Sequence, residues 1–273
     1  MKRRRFLKAA AAGGAALSLG GAGLLQAAPR RLRVSRHAVA PGRGRPLRIV
    51  QLTDLHLGRA TPVVLLRQAL GAAHAARPDL VVLTGDYLNR TLRYLSRLDR
   101  LAALLPPVPC VAILGNHDHW SGAGAISRAL EQHGVRVLRN DHVSLRLRGR
   151  ELTVVGVDDQ TTGHADVERA FHRVARPSEA LVLTHHPQTA DAIIARGGRL
   201  VLAGHTHGGQ IAIPRVTRAL ARAGGLRYLS GWYPVGPGRL YVSPGVGSAV
   251  IRLRLGGRAA PEIAVFELGT GVA

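Results

Sequence analysis

Six short apolar runs, each stopping at a cluster of Asp, Asn, His and Gly, constrain this 273-residue chain more than any other feature. They are LRIVQLTDLH from Leu47, LVVLTGD from Leu80, CVAILGNHD from Cys110, LTVVGVDD from Leu152, LVLTHH from Leu181 and LVLAGHTH from Leu200. Short runs rich in β-branched residues and bounded by turn formers read as buried strands. Helical segments separate several of them. Thr61 and Pro62 suit the N-cap and first position of a helix running toward Ala76 and closed by Pro78. Leu92 to Leu105 has helical apolar spacing and ends at Pro106-Pro107, Ile126 to Gln132 ends near Gly134, and Ala190 to Arg196 ends at Gly197. Strands alternating with helices predict an α/β domain whose functional residues gather at the carboxyl ends of the strands.

The flanking regions differ. Leu32 to Ala40 alternates apolar with basic residues, as an exposed edge strand would, and runs into a Pro/Gly loop. In the C-terminal third, RLYVSPGVG, AVIRLRL and EIAVFEL read as strands without long helices between them, which predicts a second, more antiparallel sheet. With no internal repeat and no long linker, one domain from 32 to 268 is the simplest division.

The N-terminus has its own character. MKRRRFLK precedes an uncharged Ala/Gly/Leu-rich stretch from Ala9 to Leu25, a charged segment and then a short apolar one. That is the layout of a signal peptide and is too short and Gly-rich for a spanning helix. Arg3, Arg4, Phe6, Leu7 and Lys8 resemble the twin-arginine (Tat) export pattern, with Lys2 where Ser or Thr is usual. The resemblance implies that residues 1–28 engage the Tat machinery as a cleaved signal or remain as an anchor. It places the domain outside the cytoplasm. The formal charge of +22 comes from 38 Lys and Arg against 16 Asp and Glu, and the chain stays strongly basic without its first segment. Such a surface favours anionic partners, including a membrane surface. Nucleic acid ranks low, because no aromatic residues interleave the basic ones to stack bases. The single cysteine, Cys110, allows no intramolecular disulfide.

The polar strand ends, taken in order, give Asp54-x-His56, Gly85-Asp86, Gly115-Asn116-His117-Asp118, His185 and Gly204-His205-Thr206-His207. Two imidazoles one residue apart after a rigid strand are unusual in a plain turn and natural in metal ligation. In this order the five blocks resemble the signature of the calcineurin-like metallophosphoesterases. The resemblance implies a β-sandwich of two mixed sheets flanked by helices, with a dinuclear metal site at the strand ends. It implies that Asp54, His56, Asp86 and His207 hold one ion and Asp86, Asn116, His185 and His205 the other, with Thr206 turned away between its neighbours. Two cations about 3.5 Å apart can share a hydroxide held for in-line attack on phosphorus. Imidazole with carboxylate suits Mn, Fe or Zn better than Mg or Ca. His117 is implied near the phosphate and the leaving oxygen, as general acid or to stabilise charge, with Asp118 orienting it. Asn116 and His186 are expected to face the substrate, and the region of Trp232 and Tyr233 to shape specificity. His119 is expected to be solvated, Trp120 packed, and Asp158 and Asp159 structural.

These readings make the chain a dinuclear-metal phosphodiesterase or pyrophosphatase. Its phosphoester substrate is expected to be an anionic lipid or polymer of the envelope. Within the family, GHTHGGQI, RYLSGWYPVG and LYVSPGVGSAVIRLR look most like a compact exported or membrane-anchored bacterial branch. Some of its members cleave UDP-2,3-diacylglucosamine in lipid A synthesis, which is the alternative activity. A third reading is a non-catalytic envelope-binding protein with a structural metal, against which the intact Asn116-His117-Asp118 block speaks.

Overall fold

The computed structural model describes residues 32–39, 46–209, 217, 225–249, 254 and 256–269. The expected signal at 1–28, and most of the strand expected over AVIRLRL, lie outside the described residues. The first of two six-stranded sheets is built from β1 (Arg33–Val39), β2 (Leu47–Leu52), β3 (Leu80–Thr84), β4 (Cys110–Ile113), β5 (Val135–Val137) and β12 (Glu262–Leu268). Its spatial order is β1-β12-β2-β3-β4-β5. The second contains β6 (Asp141–Leu147), β7 (Arg150–Gly156), β8 (Leu181–Leu183), β9 (Leu200–Ala203), β10 (Gly231–Val235) and β11 (Gly238–Val242), in the order β10-β11-β9-β8-β7-β6. Both sheets are mixed: β2 to β5 run parallel and so do β7, β8, β9 and β11, whereas β12 opposes β2, β6 opposes β7 and β10 opposes β11.

The alternation of side chains along each strand builds the layers. Ile49, Val82, Val111 and Ile113 from the first sheet pack against Val154, Leu183, Leu202 and Tyr241 from the second. Their neighbours Val50, Val81 and Leu83 point the other way, toward helices α1 (Val63–Ala75), α2 (Leu95–Ala102) and α3 (Asn116–Glu131). Val155, Val182 and Val201 of the second sheet pack against Ile193 and Ile194 of α5 (Ala190–Ala195), with the short α4 (Val167–Ala170) nearby. Strands buried on both faces need apolar residues at every position, which is why they read as continuous runs. Each fully buried aliphatic side chain contributes about 1.5–3 kcal/mol.

Several expectations need correction. The strands expected in RLYVSPGVG and EIAVFEL, β11 and β12, form no separate sheet: β11 joins β9 in parallel, and β12 inserts between β1 and β2. The helix after β2 begins one residue later than expected, with Pro62 at the N-cap. Thr61 instead accepts a hydrogen bond from the backbone of Ser248 at 3.0 Å. The Leu92 helix opens as a 3-10 turn, Leu92–Tyr94, and α2 then stops at Ala102. The helix expected from Ile126 starts at Asn116 and is broken at Gly122, whose φ of 134° no L side chain adopts comfortably.

Candidate metal centre

Each polar cluster leaves its strand by a sharp turn. Asp54 and His56 follow β2, Asp86 follows β3, Asn116 opens α3 after β4, His185 follows β8, and His205 and His207 follow β9. Asp54, His56, Asp86, His205 and His207 all have positive φ, between 43° and 75°. A non-glycine residue held there costs about 1 kcal/mol or more. The cost is sustained by backbone bonds that knit the turns together, Asp54 N to Gly85 O at 2.9 Å, His56 N to Asp86 O at 3.0 Å and Gly204 N to His185 O at 3.1 Å. Close approach also demands glycine at two points. A Cβ on Gly115 would overlap the Asp86 carboxylate, and one on Gly204 would overlap Asp54 and Thr53.

The turns bring the donors together. Asp54, His56 and His207 form one potential metal-holding group and Asp86, His185 and His205 another, while His56, Asp86 and His117 form a third that overlaps both. Asp86 Oδ2 lies 3.4 Å from His56 Nε2 and 3.3 Å from His185 Nε2, so it faces both groups. In the first group His56 Nε2 and His207 Nε2 are 3.0 Å apart, and Asp54 Oδ1 lies 3.4 Å from the latter. In the second, His205 Nδ1 lies 3.3 Å from His185 Nε2 and 3.0 Å from Asn116 Oδ1. Two ligands each about 2.1 Å from one ion stand roughly 3.0–3.4 Å apart. The spacing and the mixed nitrogen and oxygen donors therefore fit a pair of divalent cations. His205 and His207 fall in different groups, and the Thr206 hydroxyl donates to the Leu229 carbonyl.

Electrostatics agree. Burial alone would push the Asp54 carboxyl up, but His207, His56 and His185 hold it well below the usual carboxylate range. Asp86 behaves likewise, with His185 and His56 overcoming burial. Burial, His185 and His186 push His205 down to about 3, and burial holds His207 well below its ordinary value despite Asp54. His185 goes the other way, up to about 10, because Asp86 and Asp54 overcome its burial. A proton there marks where two carboxylates demand positive charge, the same demand that divalent cations meet. His185 Nδ1 lies 2.7 Å from the Thr84 carbonyl, which fixes Nδ1 as a donor and leaves Nε2, the nitrogen that faces Asp86, as the one that would bind a cation once its proton is displaced.

The remaining expected residues divide. His117 is half-buried beside His56, and its Nδ1 is buried without a hydrogen-bond partner. Burial pushes its ring down to about 4, against the pull of Asp86. Asp118 does not orient it. That carboxylate is fully buried and accepts backbone N–H groups from Asp86, Tyr87, Leu88 and Gly115, at 2.7, 2.8, 3.3 and 3.0 Å. It caps α3 and fixes the Asp86 turn. His186 is half-buried, its ring 4.6 Å from that of His205. His119 is not solvated: its Nε2 lies 2.7 Å from Asp158, which also takes Arg139 at 3.1 Å, and its ring stacks on His164. Trp120 is not packed away but exposed. Trp232 sits among His37, Tyr241 and Phe266 between the sheets rather than over the donors. Two contributors had no signal in the sequence: the Thr84 carbonyl, and Arg254, whose Nη2 lies 2.5 Å from His207 Nδ1.

Comparison with known proteins is consistent with this geometry. Residues 47–209 match the calcineurin-like phosphoesterase profile. The chain is 33% identical to phosphodiesterase YaeI of Escherichia coli, over 98% of this chain and 99% of that one. It is 32% identical to the metallophosphoesterase YkuE of Bacillus subtilis, over 98% of each. A 28% match covers 62% of this chain and 65% of the UDP-2,3-diacylglucosamine pyrophosphatase LpxG of Chlamydia trachomatis. Among solved structures, the 5'-nucleotidase precursor of Thermus thermophilus shares the fold, with a TM-score of 0.50 and 17% identity over 82% of this chain and 54% of that one.

Proposed function

The chain belongs to the calcineurin-like phosphoesterase family, and from that premise we propose that it is an exported phosphodiesterase or pyrophosphatase acting on an anionic lipid or polymer of the envelope. It is a metal-dependent phosphoester hydrolase; the substrate, the location and the residue roles are the proposal. The observation that carries it is Asp86, which serves two donor groups at once. Asp54, His56, Asp86 and His207 hold one divalent cation, and Asp86, Asn116, His185 and His205 the other. A bound pair supplies an activated water and neutralises phosphoryl oxygens.

The chain's own residues do the rest. Asp54 and Asp86 are held anionic and His205 and His207 neutral, the states that ligands need, whereas His185 carries a proton that a cation would have to displace. His185 is fixed by Thr84 so that it cannot rotate away. His117 stands beside Asp86 and, held neutral by burial, can donate a hydrogen bond that stabilises the leaving oxygen. His186, against His205, borders the substrate. The charge of +22 supports an anionic envelope substrate met at a membrane surface, and the twin-arginine pattern of Arg3 and Arg4 supports export by the Tat machinery. A second reading, hydrolysis of UDP-2,3-diacylglucosamine, is supported by the similarity to LpxG.

The test is hydrolysis of bis(p-nitrophenyl) phosphate and of UDP-2,3-diacylglucosamine after chelation and Mn readdition. Metal-dependent cleavage of the simple diester alone supports the leading reading, and efficient cleavage of the nucleotide-lipid moves the second to first place. Metal binding with neither substrate cleaved overturns both in favour of a binding protein.

A further inference from the structure

A line of side chains leads outward from the metal centre. The buried His56 ring meets the His117 ring nearly edge-on, with centroids 4.7 Å apart. His117 in turn meets the Trp120 indole at 5.1 Å. Trp120 is 47% exposed, the one exposed large aromatic among the described residues, and the Arg90 guanidinium lies 4.3 Å from its ring centroid. Arg90 is fixed at its backbone as well. It has a φ of 56° and lies two residues past the Leu57–Leu88 bridge, next to Asn89, whose side-chain amide donates to the Ala249 carbonyl. No acidic residue occurs from Tyr87 to Leu98, and among the described residues Arg90 makes no ion pair.

An exposed arginine is ordinarily a mobile, solvated cation. Stacking on an indole removes that freedom and gives the charge a direction. The placement then matters. With His117 at the leaving oxygen, whatever lies just beyond His117 is the leaving group. In a simple phosphodiester that group is an alcohol or a phenolate, which offers a guanidinium one oxygen at most. In a phosphoanhydride the leaving oxygen is the bridge to a second phosphorus, and the group beyond it is an anionic phosphate monoester, which a guanidinium can grip with two hydrogen bonds.

We propose that Arg90, held in place by Trp120, receives the second phosphate of the substrate, and that the preferred substrate class is a pyrophosphate diester. The inference rests on the phosphoester-hydrolase reading and narrows it. The step consumes one water. Its oxygen bonds to the attacked phosphorus, the bond from that phosphorus to the bridging oxygen breaks, and the electron pair stays on the bridging oxygen. Two phosphate monoesters result, and the protons of water end on them or in solvent. Arg90 binds the departing monoester, and Trp120 is a positioning residue.

The experiment compares bis(p-nitrophenyl) phosphate with P1,P2-bis(p-nitrophenyl) pyrophosphate, which share both arms and differ by one phosphate, on metal-loaded protein. Arg90→Ala lowers kcat/KM on the pyrophosphate about 30-fold, the worth of a charge-assisted contact, and on the diester by less than about threefold. Trp120→Ala lowers the pyrophosphate value roughly three- to fivefold, Trp120→Phe recovers most of it, and Arg90→Lys falls between wild type and Arg90→Ala. Equal losses on the two substrates, or no loss on the pyrophosphate in Arg90→Ala, overturn the proposal. Wild-type protein that cleaves the diester and not the pyrophosphate overturns it while the hydrolase reading stands, and protein that cleaves neither overturns both.

Discussion

Asparagine in place of Asp118 separates a carboxylate that builds the site from one that takes part in its chemistry. Oδ2 accepts from Asp86 N and Gly115 N at 2.7 and 3.0 Å, and Oδ1 from Tyr87 N and Leu88 N at 2.8 and 3.3 Å. Whichever way the amide is turned, its NH2 group confronts two backbone donors with a third. Burial and the neighbouring Asp86 push this carboxyl up to about 7, so the charged acceptor is present mainly at pH 8 and above. There a hydrogen bond to it contributes about 1.5–3 kcal/mol, so two lost bonds cost about 3–6 kcal/mol, and the two that survive now meet a neutral oxygen. In a domain of this size that lowers Tm by on the order of 10 °C. The Asp86 turn, already at a φ of 57°, loses its anchor, so metal content falls as well. Thermal melting, elemental analysis of bound metal and diester turnover together check this. Activity should fall in proportion to metal. If Asp118→Asn melts within about 2 °C of wild type, keeps its full metal content and still loses turnover by orders of magnitude, Asp118 acts in the chemistry and the hydrogen-bond argument is wrong.

Other outcomes follow from the same geometry. His117→Ala should retain both metals yet lose roughly 100-fold or more in turnover, whereas Asp86→Asn should lose metal and activity together; near-normal turnover of His117→Ala on a poor-leaving-group diester refutes its role at the leaving oxygen. Gly204→Ala should fold with a loss of about 1–3 kcal/mol but displace Asp54, against which its new methyl would press, and bound metal should drop below one ion per chain. Burial pushes the Cys110 thiol up to about 11. At pH 8 a thiol reagent should therefore label it only after urea unfolding, and rapid labelling of native protein contradicts the burial.

The donors were legible in the sequence because each stands within a few residues of a strand that is apolar throughout. Asp54 and His205 meet from strands of different sheets, a pairing that the runs do not announce and that only the family resemblance implied. Partners supplied by backbone leave no such trace. The four amides held by Asp118 and the Thr84 carbonyl behind His185 have no residue type to betray them. β6 was missed because DHVSLRL covers the core with only some of its residues and keeps too little apolar character to read as a run. EIAVFEL reads correctly as a strand, but nothing local in it says that its neighbours are β1 and β2. Trp120 reads as a core residue by its type. Whether an indole is covered depends on the chain around it, here a helix interrupted at Gly122 with Leu92 against the break.

The insertion of β12 between β1 and β2 has a consequence for the order of events in the life of the chain. Until Leu268 has left the ribosome, β1 lacks its partner and β2 presents an unpaired edge, since both wait for β12. Contacts between distant parts of a chain form slowly, and a translation product stopped before Glu262 cannot form them at all. Asp54 and His56 hang from the end of β2, so their turn is not secured until that strand has docked. A chain that lacks β12 therefore holds Asp54 and His56 less firmly, and with them the first group of metal donors.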